Sequence, residues 1–191
     1  MKKVLAVLVL SSLVSLNVYA SEEEHHMGEK TEKNNFYIAV KGMSTLGDSI
    51  EEGSSTLEGS TGVGIGVDVG YKLPYGFSVE IDATYAENTV TETLSNGDSE
   101  EFDASYITTS LDVDYKYHLT HEIGLIVKVG YEYEIETIDG LNIDNSSTGF
   151  IFAGAVEYEV SEHVALLGEY EATTIEGPRG NSIFAGIVYD F

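Results

Sequence analysis

Acidic side chains recur at alternate positions through most of this chain, and a few lysines share their parity. Asp68, Glu80, Asp82, Asp112, Asp114, Glu132, Glu134, Glu136, Glu157, Glu159, Glu169, Glu171 and Asp190 form the acidic set. Lys41, Lys72, Lys116 and Lys128, with His118, are its basic counterpart. Carboxylates gathered on one surface can line a cation path, hold a hard divalent ion through oxygen ligands, or pair with buried lysines. Lys41 and Lys128 lie near the middle of their segments, where Asp68, Asp82, Asp112 and Glu169 are the nearest acids by depth. These six residues form the expected charge network.

Other chemistry is thinly represented. The sequence has no cysteine, which removes disulfides, thiol catalysis and thiolate metal sites together. Glu22-Glu23-Glu24-His25-His26 offers adjacent imidazoles to a transition metal, but without a third fixed ligand it reads as a charged tail. A hydrolytic triad needs its base within hydrogen-bond reach of the nucleophile. The histidines (25, 26, 118, 121 and 163) show no such spacing, so no enzyme is expected. No cofactor is expected either, beyond weakly bound Ca2+ or Mg2+.

The elements that carry these residues read as strands. Val63, Ile65, Val67, Val69 and Tyr71 alternate with Gly64, Gly66, Asp68, Gly70 and Lys72; Phe77, Val79, Ile81, Ala83 and Tyr85 alternate with Ser78, Glu80, Asp82 and Thr84. Segments 107–119 and 123–135 repeat the pattern, and 36–43, 150–160, 164–173 and 182–191 follow it more loosely. A period of two belongs to a sheet with two unlike faces. Eight strands result. Tight connections at 73–76, 119–122 and 160–163 alternate with polar stretches at 44–60, 87–104, 137–147 and 174–181, read as long loops.

The N-terminus explains where such a sheet would go. Met1-Lys2-Lys3, the apolar run Val4–Leu16 and Val18-Tyr19-Ala20 have the three-part layout of a secretory leader. The expected organisation is a signal peptide over 1–20, a flexible periplasmic segment over 21–33 and one β-domain over 34–191. Removing Lys2 and Lys3 deepens a formal charge already at −24, set by 33 acids against 9 basic residues. Nucleic acid is therefore excluded as a partner, because phosphate binding needs clustered Lys and Arg. After residue 20 no apolar run is long enough for a membrane helix.

Alternation alone does not separate a soluble barrel from a membrane barrel. Here the charged, glycine-rich parity suits a crowded polar interior. On the apolar parity, Tyr71, Phe77, Tyr117 and Tyr158 fall near the tight turns, and Tyr85, Tyr131, Tyr133 and Tyr170 near the loops. Two interfacial belts have this distribution. The chain ends Tyr189-Asp190-Phe191, which resembles the C-terminal signal read by the outer-membrane assembly machinery. With the leader and eight strands, residues 34–191 resemble the opacity-type porin and OmpA-type superfamily, without the peptidoglycan-binding domain of OmpA.

That resemblance implies an all-β, eight-stranded, antiparallel up-and-down transmembrane barrel in the cell outer membrane. Its loops would be extracellular and its N-terminus periplasmic. Its partners would be outer-membrane lipid, lipopolysaccharide and the assembly machinery. Eight strands enclose a space only about wide enough for their own side chains. A packed core and a structural or surface-interaction role are therefore expected ahead of a narrow cation-preferring channel.

Overall fold

The computed structural model describes residues 35–191 except Asn142; the expected leader and the segment 21–33 lie outside the described residues. Ten strands follow in chain order: β1 (Phe36–Thr45), β2 (Ser49–Glu52), β3 (Ser55–Gly59), β4 (Val63–Lys72), β5 (Phe77–Leu94), β6 (Ser99–His118), β7 (Ile123–Ile138), β8 (Ile143–Ser161), β9 (Val164–Thr173) and β10 (Ser182–Asp190). All pairings are antiparallel. Eight strands close a ring in the order β1-β4-β5-β6-β7-β8-β9-β10, with β10 returning to β1. This is the up-and-down transmembrane barrel, and β2 and β3 form a hairpin added to it.

Closure follows from the registers. Tyr37 opposes Asp190 and Thr45 opposes Ser182 across the β1–β10 seam. The tight turns gather at one end, the turn end. At Pro74–Gly76 the reversal needs positive φ at Tyr75 (68°) and Gly76 (86°). At the β6–β7 turn, Thr120 Oγ1 accepts hydrogen bonds from the amides of Glu122 and Ile123.

The opposite end departs from the expectation. Stretches 87–104 and 137–147 are largely strand rather than loop, and 44–60 contains the β2–β3 hairpin. β5, β6, β7 and β8 run for 16 to 20 residues, well past the 9–11 a membrane strand needs. On one edge β5 pairs with β4 from Ser78 to Glu87 and then with β3 from Val90 to Leu94. The barrel therefore has a tall wall over β5–β8, thickened by β2 and β3, and a low wall over β9, β10, β1 and β4.

The two faces exchange character along the tall wall. Low on the barrel, Ile81, Leu111, Val113, Val127 and Val129 are exposed on the outer surface while Glu80, Asp82, Asp112, Asp114 and Lys128 are buried. Higher on the same inward parity come Ala86, Val90, Tyr106, Ala104 and Ile138, all buried. The outward parity there carries exposed Glu87, Asp103 and Glu101. The phase of the pleat is unbroken, and only the chemistry inverts. That inversion explains the early stopping point of the sequence-based strands, because a search for apolar-out alternation loses its signal where the sign reverses.

Candidate functional site

The lumen is built from inward side chains of all eight ring strands, stacked in layers. Its middle layer is centred on two lysines. Lys41 Nζ lies 2.9 Å from Asp68 Oδ2, 2.8 Å from Asp82 Oδ2 and 3.3 Å from Glu169 Oε1. Lys128 Nζ meets Glu80 Oε1 and lies 2.9 Å from Glu169 Oε2, so Glu169 bridges the two ammonium groups. Lys41 also sits 4.4 Å from the centroid of the Phe184 ring, a cation–π contact that covers its upper side. Lys41 and Asp68 are essentially inaccessible to solvent.

Glycines make room for this packing. A Cβ on Gly130 would fall 1.7 Å from Asp112 Oδ1, and one on Gly70 would fall 2.0 Å from Tyr37 Cζ. Asp112 takes a 2.8 Å hydrogen bond from Ser110 and does not reach Lys128. Asp68 and Asp82 go to Lys41, not Lys128. Depth along the strands gives the layer but not its pairs, and Glu80, one pleat closer to the turn end, is the partner it passes over.

At the turn end Lys72 bonds Asp190 at 2.6 Å, and Lys116 bonds Glu157 at 2.6 Å and Glu159 at 2.8 Å. His163 Nδ1 is 2.9 Å from the Asp190 carbonyl, and its ring stacks on Tyr189. His118, His121 and His163 are all exposed at this end, away from the hairpins. Among the described residues, no group of three or more His, Cys, Asp or Glu is arranged to hold a metal ion.

The mouth at the hairpin end holds the residue that sequence reasoning missed. The β9–β10 connection dips inward and buries Pro178 and Arg179. Arg179 Nη2 is 3.1 Å from both Glu132 oxygens, Nε meets Glu134, and Nη1 lies 4.0 Å from Glu171. Burial works against the Arg179 cation, but Glu134, Glu132 and Glu171 more than offset it and hold its pKa above the ordinary value. The loop is pinned by Asn88, whose Nδ2 donates to the Pro178 carbonyl at 3.1 Å, and by the Gly47 amide, which donates to the Arg179 carbonyl. The guanidinium covers Glu134, which is buried although it lies near the rim. The available clue was that Arg179 is the sole arginine, set beside Pro178 in a short glycine-rich loop.

Above Arg179 the mouth is roofed. Leu57, Val90, Ala104, Tyr106 and Ile138 form a buried apolar cluster, with Ile50, Phe102, Leu141 and Ile143 packed against it. The Tyr106 hydroxyl donates to Asn88 Oδ1 at 3.1 Å, which ties this cap to the loop below.

The outer surface carries the aromatic residues at two levels. Tyr71, Phe77, Tyr117 and Tyr158 are exposed near the turns, and Tyr85, Tyr131, Tyr133 and Tyr170 are exposed near the point where the faces invert. Phe77 and Tyr85 are separated along β5 by about 26 Å of strand, or about 20 Å of height at the usual tilt. Tyr189 and Phe191 are exposed in edge-to-face contact, with centroids 5.1 Å apart.

A closed antiparallel ring with an apolar exterior, aromatic levels at both margins and an ion-paired interior defines a transmembrane β-barrel. The chain matches the outer membrane protein beta-barrel domain over residues 6–191, and it belongs to that family. No curated protein sequence matches it. Among solved structures it is similar to the outer membrane protein OprG of Pseudomonas aeruginosa (TM-score 0.68, 13% identity, 83% of this chain and 97% of that one). It is also similar to Neisserial surface protein A (0.58, 15%, 82% and 97%). The attachment invasion locus protein Ail of Yersinia pestis, in complex with the heparin analogue sucrose octasulfate, is a third (0.51, 10%, 83% and 99%). At these identities the likeness is one of fold.

Proposed function

We propose that this protein is a sealed barrel anchoring an acidic interaction wall at the surface of the outer membrane. The observation that supports this reading is the closed mouth: Arg179 held by Glu132 and Glu134 beneath the apolar cap. In this orientation the tight turns face the periplasm and the tall hairpins the exterior, as is general for such barrels. Tyr189 and Phe191 then serve as the element recognised by the assembly machinery.

The wall's charge limits its partners. Every described Lys and Arg (41, 72, 116, 128 and 179) has its ion pairs inside the barrel. On the hairpin end the exposed charges are Asp48, Glu51, Glu58, Glu87, Asp98, Glu100, Glu101, Asp103, Asp139, Asp144 and Glu176, with no described cation among them. A polyanion like the one bound by Ail would be repelled here. A basic protein surface is attracted, and lipopolysaccharide phosphates are met through bridging Mg2+ or Ca2+.

A narrow cation-preferring channel is the second reading. Asp112 Oδ1 and Asp114 Oδ1 favour it, because neither takes a hydrogen bond among the described residues. Planar-bilayer recording separates the two. The sealed reading expects no ohmic steps from the wild type and none from Arg179→Met, because the Lys41–Lys128 layer still fills the lumen below the mouth. Cation-selective steps of equal size from both proteins would establish the channel instead.

A further inference from the structure

Below the Lys41–Lys128 layer the lumen widens into a cavity of about 360 Å3 that reaches the turn end. This is within the range of pockets that take small ligands. Its two sides differ. Ile126, Leu167 and Val188 form an apolar side together with the Tyr37 ring, whose hydroxyl points to the polar side at Glu80 and Asp114.

The polar side is short of positive charge. Lys128 at the cavity's head is engaged by Glu80 and Glu169, and Lys116 at its rim is engaged by Glu157 and Glu159. The Tyr37 hydroxyl lies 2.9 Å from Glu80 Oε2 and 3.4 Å from Asp114 Oδ2, and its single proton goes to the nearer oxygen. Asp114 keeps one longer bond, from Ser78 at 3.2 Å. Its Oδ1 takes none, although the residue is only 2% exposed. A buried carboxylate left this way costs free energy unless a cation or donor reaches it.

We propose that this cavity is a binding site for a small aliphatic ammonium ion. The ammonium group pairs with Asp114 at the head, and the alkyl chain lies along Ile126, Leu167 and Val188. Asp114 lies four positions before the end of β6 at His118. That is on the order of 10 Å of depth after tilt, which suits an alkyl chain better than a bare ion. The inference is independent of what the wall contacts.

The test is an NMR titration of the full barrel in micelles at fixed ionic strength, following the amides of Ser78 and Asp114 and the Ile126 methyls. n-Butylammonium is the probe, with n-butanol and K+ as controls. The expected result is saturable shifts confined to the turn end, with affinity reduced about ten- to hundredfold in Asp114→Asn, the worth of one charge-assisted hydrogen bond. Ile126→Trp fills the cavity while leaving Asp114 in place, and it should abolish binding. Absence of saturable shifts, or an unchanged affinity in either variant, overturns the proposal. Equal binding of n-butanol would show an apolar pocket only, and equal competition by K+ a plain ion site; each also overturns it.

Discussion

The lower and upper halves of β5–β7 are continuous strands built for opposite surroundings. In the lower half, charges point inward and Ile81, Leu111 and Val127 point out to lipid. In the upper half Val90, Ala104 and Ile138 point inward and acids point out, as in a water-soluble β-protein. Inside the lower half the favourable interactions are ion pairs screened by little water, since a barrel of this width is filled by its own side chains. In the upper half, burial of apolar surface contributes most of the stabilisation. One backbone thus carries two folding codes, and the level at which they exchange, near Tyr85, Ile107 and Tyr133, marks the membrane margin.

The largest effect expected from this division is in the lower lumen. Lys128→Met removes the ammonium shared by Glu80 and Glu169, leaving Glu80 buried without a cation and Glu169 with Lys41 alone. Breaking one side of a buried ion pair costs about 3–5 kcal/mol, so the melting temperature in detergent near neutral pH should fall by many degrees. The loss should shrink on acidification, because the stranded carboxylates then accept protons and their repulsion is relieved. A melting temperature unchanged by the substitution would mean that water fills this layer, and that the two halves do not differ as described.

The sequence made the lower half readable because its alternation has the sign a membrane strand requires. The ring strands, the inward set and the aromatic levels all follow from that one pattern. Depth along the strands places Lys41, Lys128, Asp68, Asp82, Asp112 and Glu169 at one level without assigning partners, whereas the Lys128–Glu80 pair depends on barrel stagger, which a single strand does not encode. The upper half was read as loops, since Thr- and Glu-rich stretches such as Glu87–Leu94 look like polar linkers until the inward Val90 is seen against Leu57 and Ala104. Arg179 was invisible for a different reason. It belongs to a connection, and nothing in the local pattern says that a loop turns inward.

The next effect in size tests the lipid side of the lower half. Leu111 is 57% exposed near mid-strand on the outer surface of β6. An arginine near the bilayer midplane costs about 2–4 kcal/mol. Leu111→Arg should lower unfolding free energy by that amount in lipid bilayers. A soluble barrel would tolerate the same change at an exposed site within about 0.5 kcal/mol.

The smallest effect is the most discriminating, because it uses the same strand and the same face. Glu101 lies ten residues from Leu111 on β6, so both side chains leave the outer surface, one on either side of the inversion. If the upper half stands in water, Glu101→Arg meets no desolvation cost. Asp103 lies two residues from Glu101 on the same face and Glu100 precedes Glu101 in the chain, so the new cation relieves repulsion where Leu111→Arg creates an unsolvated charge. The expected change in unfolding free energy is within about 0.5 kcal/mol, tending to stabilise at low salt and fading as salt screens it. Walking arginine outward along this face, through Thr109, Ile107 and Asp103, should give costs that fall to nothing between Ile107 and Asp103. A cost at Glu101 comparable to that at Leu111 would place the upper strands in the bilayer, and the inversion of the two faces would then need another cause.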